Sequence, residues 1–260
     1  MRYNSSLHEK LENHYERFNI MNGTPDPIEF PHRYSNELDI ELSAFISSVF
    51  AYGSVRQIKN SLEKLHLIMG KNPYDFISSY SLKRDSKYFK DLKHRFYSTN
   101  DIIKLFHTLS KVLKKEGSLK NHFYSIYKKN ESIKDSIHHF SASLVKYSSE
   151  EKIVSNGIKF MFPDPLKGSA AKRMNLFLRW MVRKDKIDFG IWNEIPTSKL
   201  IIPVDTHVAK ICKELRLTKL KNVSWKMAEE ITNNLKKFNA IDPVKYDFSI
   251  CHIGMLKLKF

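Results

Sequence analysis

One lysine and one aspartate, 33 positions apart, are the residues in this chain whose type and setting could carry chemistry. Lys172 lies in the run Leu166-Lys167-Gly168-Ser169-Ala170-Ala171-Lys172-Arg173, a turn of small residues that opens onto a helical pattern. Glycine and small side chains let backbone N–H groups come close to a ligand, and a helix N-terminus attracts phosphate. A lysine placed there can contact a phosphate, stand as a solvated charge, or, when neutral, act as a nucleophilic amine. Asp205 stands in Pro203-Val204-Asp205-Thr206-His207-Val208, where an extended segment enters a helix. Capping that helix is its ordinary duty, and such a cap stabilises by ~1 kcal/mol. A carboxylate placed to face a cation is the other.

The elements that must hold these two residues are helical. Apolar residues recur at helical spacing almost throughout, and the one extended run is Leu200-Ile201-Ile202-Pro203-Val204, so the fold class is all-α. The pattern predicts helices over roughly 5–21, 37–51, 54–69, 73–79, 85–95, 100–115, 117–127, 132–146, 150–161, 169–184, 206–216, 224–237 and 243–256. Pro and Gly interrupt it at 23–27, 162–168, 190–196 and 241–243. Asp205, Ser224, and Asp242 followed by Pro243 mark helix starts. On a wheel over 172–183, Lys172, Asn175, Arg179 and Arg183 form a polar stripe opposite Met174, Phe177, Leu178 and Met181.

Composition narrows the partners. A formal charge of +16 and a pI near 9.6 spread over 260 residues favour a polyanion, nucleic acid first. A chain rich in Lys, Asn, Ile, Phe and Tyr also follows from AT-rich coding, with no polyanion involved. No apolar run approaches the ~18 residues that span a bilayer, and the N-terminal segment lacks an apolar signal core, so no membrane partner and a cytoplasmic location are expected. Cys212 and Cys251 are too few for a disulfide framework, and neither forms a metal-type pair, so neither cofactor nor metal is expected. No dimerisation seam is visible, and a monomer is expected.

The two motifs together resemble the helix-hairpin-helix DNA glycosylase superfamily, which includes endonuclease III and the 8-oxoguanine glycosylases. The family hairpin reads approximately L-P-G-V-G-x-K-x-A, and a V-D-T-H segment follows it. Laid without gaps, Gly168 falls on the first hairpin glycine, Lys172 on the nucleophilic lysine and Asp205 on the essential aspartate. The likeness extends over roughly 36–260 and is strong across 163–216. Lys167 stands in place of the hairpin proline and Ala170 in place of the second glycine. The stretch between Lys172 and Asp205, with Lys184-Asp185-Lys186 and Trp192, is longer than in endonuclease III, and no four-cysteine iron–sulfur cluster is expected.

The resemblance implies two helical domains with a cleft between them, one over 36–185 with the hairpin 163–184, the other formed by 1–35 and 186–260. It implies a bacterial, nucleoid-associated protein that acts on duplex DNA containing a damaged base. Gly168, Ser169, Ala170, Arg173, Tyr52, Gly53 and His207 would contact the DNA, and Asp247, Phe248 and Trp180 would line the base pocket. Trp192 is a further aromatic candidate, and His94, Arg95 and Arg56 are possible phosphate contacts. Aromatic residues at helical spacing also pack as core, and Asp247 reads equally as an ordinary acid.

The implied chemistry is a Schiff-base glycosylase with associated AP lyase activity. Breaking an N-glycosidic bond builds positive charge on the sugar, which a carboxylate stabilises. A neutral lysine captures C1′ as an imine, and the imine acidifies the neighbouring position so that β-elimination cuts the strand. Oxidised purine, 8-oxoguanine first, is the preferred lesion. The competing reading is a non-catalytic helix-hairpin-helix module that keeps the hairpin and the acidic cap for structure.

Overall fold

The computed structural model describes residues 2–20, 26–148 and 154–256, with the side chains of 254–256 outside that description. Its α-helices in chain order are α1 (Ser5–Phe18), α2 (Glu37–Phe50), α3 (Val55–Met69), α4 (Pro73–Ser78), α5 (Leu82–Asp85), α6 (Thr99–Glu116), α7 (Leu119–Tyr127), α8 (Ile133–Ser148), α9 (Asn156–Met161), α10 (Lys172–Val182), α11 (Thr206–Glu214), α12 (Trp225–Leu235) and α13 (Asp247–Leu256). The chain is all-helical: among the described residues there is no β-strand, only isolated bridges between His94 and Tyr97 and between Lys184 and Phe189. The expected break at Gly23-Thr24-Pro25 and the start of the helix expected from 150 lie outside the described residues.

The chain divides into two compact units, Thr24–Asp164 and Met1–Gly23 with Pro165–Phe260. The boundary falls before the hairpin, so α10 groups with the terminal segments, whereas the sequence reading placed 163–184 with 36–185. Charged contacts made by α10 account for this, because its arginines pair with acids that follow it in the chain.

In the 24–164 unit α2 is the central helix. It is buried from Asp39 to Phe50, two acids and three serines included. Its two buried acids cap neighbours: Glu41 accepts from the Leu119 and Lys120 N–H groups at the start of α7 (2.7 and 2.9 Å), and Asp39 accepts from Tyr74 N–H in α4 (2.7 Å). Both place a carboxylate at the positive end of a helix. The helix expected over 85–95 does not form. α5 gives way to a 3₁₀ turn at Ser86–Phe89 and a reversal at 94–97, because Asp91 and Arg95 take positive φ (61° and 49°), which no α-helix accommodates.

In the terminal unit the apolar faces of α1, α11, α12 and α13 close on one core that includes Leu7, Leu11, Val208, Met227, Ile231 and Ile250. The run at 200–204 crosses that core in extended form without a sheet partner. Ile202 N–H is satisfied instead by the Thr232 hydroxyl of α12 (3.0 Å).

Candidate active site

The turn before α10 is built from its hydrogen bonds. A 3₁₀ turn at Pro165–Lys167 is closed by Gly168 N–H to the Pro165 carbonyl (3.1 Å), and Gly168 takes φ 89°, where a side chain would strain the backbone. The Gly168 carbonyl accepts from Trp225 N–H (3.1 Å), which ties the turn to the start of α12. Ser169 Oγ accepts from Ala171 N–H (3.2 Å). The left-handed conformation then falls on Ala171 (φ 46°, ψ 37°), while Ala170 is not among the positive-φ residues. Alanine in place of a second glycine at 170 is therefore accommodated. The N-cap position of α10 is Ala171, whose side chain has no acceptor to offer the first turn.

Lys172 is the first residue of α10, and its Nζ lies 3.3 Å from Asp205 Oδ2. Both side chains are a little under one-third exposed, at 28% and 29%. Asp205 divides its oxygens between two tasks. Oδ1 caps α11 by accepting from His207 and Val208 N–H (2.9 and 3.0 Å), while Oδ2 faces the lysine. Burial pushes the Asp205 carboxyl up, but Lys172 and the Val208 N–H outweigh it and hold the group below the usual range. Asp205 is thus a stable anion at neutral pH.

The rest of the polar stripe that Lys172 heads is buried. Asn175, Arg179 and Arg183 are at most 3% exposed, and α10 is covered on every side from Arg173 to Val182. A helical wheel separates polar from apolar faces but does not show what each one meets. Here the polar face meets acids. Arg179 donates to Asp188 from Nε (3.2 Å) and Nη2 (3.1 Å), and to Asp247 from Nη1 (2.6 Å). Arg183 pairs with Asp188, with Asp185 (3.0 Å) and with Asp242 (2.9 Å). Buried guanidinium groups stay charged, so they demand such partners. From the sequence Asp242 was read only as a helix start and Asp185 only as part of the longer stretch, and Asp188 was not singled out; their signal as partners was acids that follow two arginines set one helical turn apart.

The longer stretch after α10 supplies part of this network. Residues 184–189 fold back through the Lys184–Phe189 bridge, with Phe189 N–H on the Trp180 carbonyl (2.9 Å) and Trp192 N–H on that of Met181 (2.8 Å). Trp192 is buried against Phe177, ring centroids 5.0 Å apart, and belongs to the core.

Asp247, at the start of α13, is 3% exposed. Burial pushes its carboxyl up to about 6, against the pull of Arg179 and Lys172. Its Oδ1 has no hydrogen-bond partner among the described residues. Cys212 is fully buried, its thiol pushed up by burial and by Asp247 and Asp205. Lys172, Asp205, Asp247 and Cys212 therefore share one electrostatic neighbourhood.

The remaining sequence candidates separate. Gly168 and His207 are exposed and Ser169 is half-buried, beside Lys172 and Asp205 in the chain. Ala170 and Arg173 are buried at 8% and 7%, so the Arg173 side chain is not an open surface contact. Trp180 is wholly buried, and Phe248 packs on His252 (centroids 4.0 Å apart) with the Arg179 guanidinium over its ring. Tyr52 and Gly53 belong to the 24–164 unit. Two cavities of about 700 and 670 Å³ also lie in that unit, and neither is lined by Lys172 or Asp205. Among the described residues no group of His, Cys, Asp and Glu is arranged to hold a metal, and no helix is long and apolar enough to cross a membrane.

A family model described as "Protein of unknown function (DUF2400)" matches residues 26–256. The chain belongs to this family. In the DUF2400 chain the match takes in most of the 24–164 unit and the 165–256 part of the terminal unit, with Lys172, Asp205 and the buried charge network, and leaves α1 outside it. No curated protein and no solved structure matches the chain.

Proposed function

We propose that this DUF2400 protein is a DNA base-excision glycosylase with AP lyase activity, in which Lys172 is the nucleophile and Asp205 its electrostatic partner. One observation carries the reading: Lys172 Nζ lies 3.3 Å from Asp205 Oδ2, with both groups partly open to solvent. The net charge of +16 supports a DNA partner. The exposed Gly168 turn at the start of α10 supports phosphate contact beside the lysine. The finer architecture, a helix-hairpin-helix glycosylase with two domains, belongs to the same proposal.

In this mechanism a damaged base leaves the stack, at a cost of a few kcal/mol that protein contacts must offset. As the glycosidic bond breaks, its electron pair goes to the base and positive charge grows on the sugar, where anionic Asp205 stabilises it. Its depressed proton affinity makes Asp205 a better counter-charge than base. The departing base anion takes one ammonium proton from Lys172, the freed amine bonds to C1′, and as the C1′–O4′ bond opens a second amine proton passes to O4′, leaving the protonated imine. Removal of the acidified C2′ proton then expels the 3′ phosphate. Asp247, with one carboxylate oxygen clamped by Arg179 and the other without a hydrogen-bond partner among the described residues, is suited to accept an N–H of the displaced base. Oxidised purine, 8-oxoguanine first, is the proposed lesion.

Borohydride reduction on duplex oligonucleotides carrying defined lesions tests the mechanism, since it turns the imine into a stable covalent adduct. Wild type is expected to be trapped and Lys172→Ala not. The competing reading, a non-catalytic DNA-binding module, is favoured by the complete α11 cap that Asp205 makes without any reaction. It is the outcome if salt-sensitive DNA binding is seen and no lesion gives an adduct.

A further inference from the structure

Within the 24–164 unit a cluster of aromatic rings stands at the surface. Phe96 is 62% exposed and Phe160 37%. Tyr52 and Phe96 lie nearly parallel, at 9° with centroids 6.1 Å apart, and Phe160 sets its edge against both at 4.9 and 5.3 Å. The Arg95 guanidinium lies over the Tyr52 and Phe96 rings, 5.7 and 5.6 Å from their centroids. Aromatic faces exposed together with a cation form a rare surface, because water pays for their exposure unless something covers them.

The tip is held rigidly. His94 and Tyr97 exchange backbone hydrogen bonds (3.0 and 2.8 Å), which forces Arg95 and Phe96 outward at the reversal. Beneath it the buried His94 ring donates from Nε2 to the Tyr52 carbonyl (3.1 Å), so Nδ1 accepts from the Ser61 hydroxyl (2.9 Å). The Tyr52 hydroxyl donates to the His94 carbonyl (2.7 Å) and accepts from Phe96 N–H (3.3 Å). Gly53 takes φ 105°, and a Cβ there would meet Arg95 Cδ at 2.6 Å. α9, which carries Phe160, is anchored because Asp101 at the start of α6 accepts from its cap residue, Ser155.

Charge decides what could cover these rings. Segments 52–60, 92–98 and 154–162, which contribute the cluster, carry Arg56, Lys93, Arg95 and Lys159 and no carboxylate of their own; Lys59 is paired with Glu29 (2.9 Å), the neighbouring Asp101 is buried, and Asp91 is exposed beside them. An apolar protein partner would need to bring its own acids to this rim, whereas a nucleic acid brings a phosphate with every base. Base stacking on such rings tolerates any sequence, since every base has a π face.

We propose that Tyr52, Arg95, Phe96 and Phe160 form a stacking platform for one unpaired nucleobase, with the surrounding cations on its flanking phosphates. The inference rests on the DNA reading above but not on Lys172 chemistry. It is tested with the full chain carrying Lys172→Ala, so that no reaction occurs, on a duplex with a single bulged 2-aminopurine and on the fully paired duplex. The bulged duplex is expected to bind about tenfold tighter than the paired one, with 2-aminopurine fluorescence quenched on binding. Phe96→Ala is expected to remove that preference and the quenching while leaving paired-duplex binding unchanged, and Phe96→Trp to retain both. A thermal melt that matches the parent shows that each variant is folded. The proposal fails if folded Phe96→Ala keeps the preference, or if the parent binds both duplexes equally. Trapping on Lys172 with indifferent Phe96 sinks the platform alone. Phe96-dependent binding without trapping sinks the excision chemistry alone.

Discussion

Arg179 donates to Asp247 across 2.6 Å while its other nitrogens hold Asp188, so one guanidinium from α10 neutralises two buried acids from different segments. Arg179→Met would leave both acids without that cation, and loss of one partner of a buried pair costs about 3–5 kcal/mol. Arg179→Lys is also expected to destabilise, because an ammonium cannot reproduce the planar fork. Urea unfolding of the three proteins checks this; an Arg179→Met variant as stable as wild type would show that the network adds nothing.

Asp247 gives stability a pH signature. Its folded carboxyl is held up to about 6 from an ordinary 3.8, so the folded state binds the proton more tightly than the unfolded chain. Its contribution is complete below about pH 4 and is lost as pH rises through about 6, a change of about 3 kcal/mol for a two-unit shift. Asp205, held low, contributes with the opposite sign and loses its part as pH falls. Denaturant melts from pH 4 to 7 on wild type and Asp247→Asn should differ in slope over that window, wild type losing more on the way up. Parallel curves would contradict the buried titration.

At the candidate site, stability and chemistry should separate. The Lys172–Asp205 pair is partly exposed, so Lys172→Ala is expected to change stability by no more than about 1 kcal/mol. Asp205→Asn keeps an Asx cap on α11 and should do the same, whereas Asp205→Ala loses the cap and about 1 kcal/mol. Covalent trapping should disappear in Lys172→Ala and fall at least tenfold in Asp205→Asn. Equal trapping by Asp205→Asn and wild type would remove the carboxylate from the mechanism.

The turn before α10 carries local strain at one residue. Ala171 is left-handed at φ 46°, which costs an L-residue with a Cβ about 1–2 kcal/mol, so Ala171→Gly should stabilise the fold by up to about 1 kcal/mol. Gly168→Ala has room for its methyl group but not the backbone conformation at φ 89°, and should destabilise by about 1 kcal/mol or more. Thermal melts of both variants decide the point. A Gly168→Ala protein melting with wild type would mean that the turn readily takes another conformation.

Some of this organisation was legible in advance. Helices α10 to α12 follow from period, capping and turn residues, which are local properties: Asp205 and Ser224 cap where their spacing says they should. The stretch 85–95 misled because its apolar residues fall at helical intervals, while the positive φ of Arg95 belongs to the 94–97 reversal, which the Tyr52 hydroxyl ties down at the His94 carbonyl from far along the chain. Arg173 was taken as a DNA contact and is buried for a related reason, and Trp180 and Trp192, for which core packing stood beside the ligand reading, are core. Residue type does not report burial.

By itself the sequence determined the all-helical class, the positive charge, and the presence of a lysine after a glycine turn and an aspartate at a helix start, because composition, periodicity and capping act over a few residues. Only tertiary structure decided that the two would meet at 3.3 Å, that the polar stripe of α10 would turn inward, and that Arg179 and Arg183 would be matched by Asp188, Asp242 and Asp247. A buried charge is tolerated only where a counter-charge arrives from elsewhere in the chain. That pairing is a property of the packed unit, which no local pattern encodes.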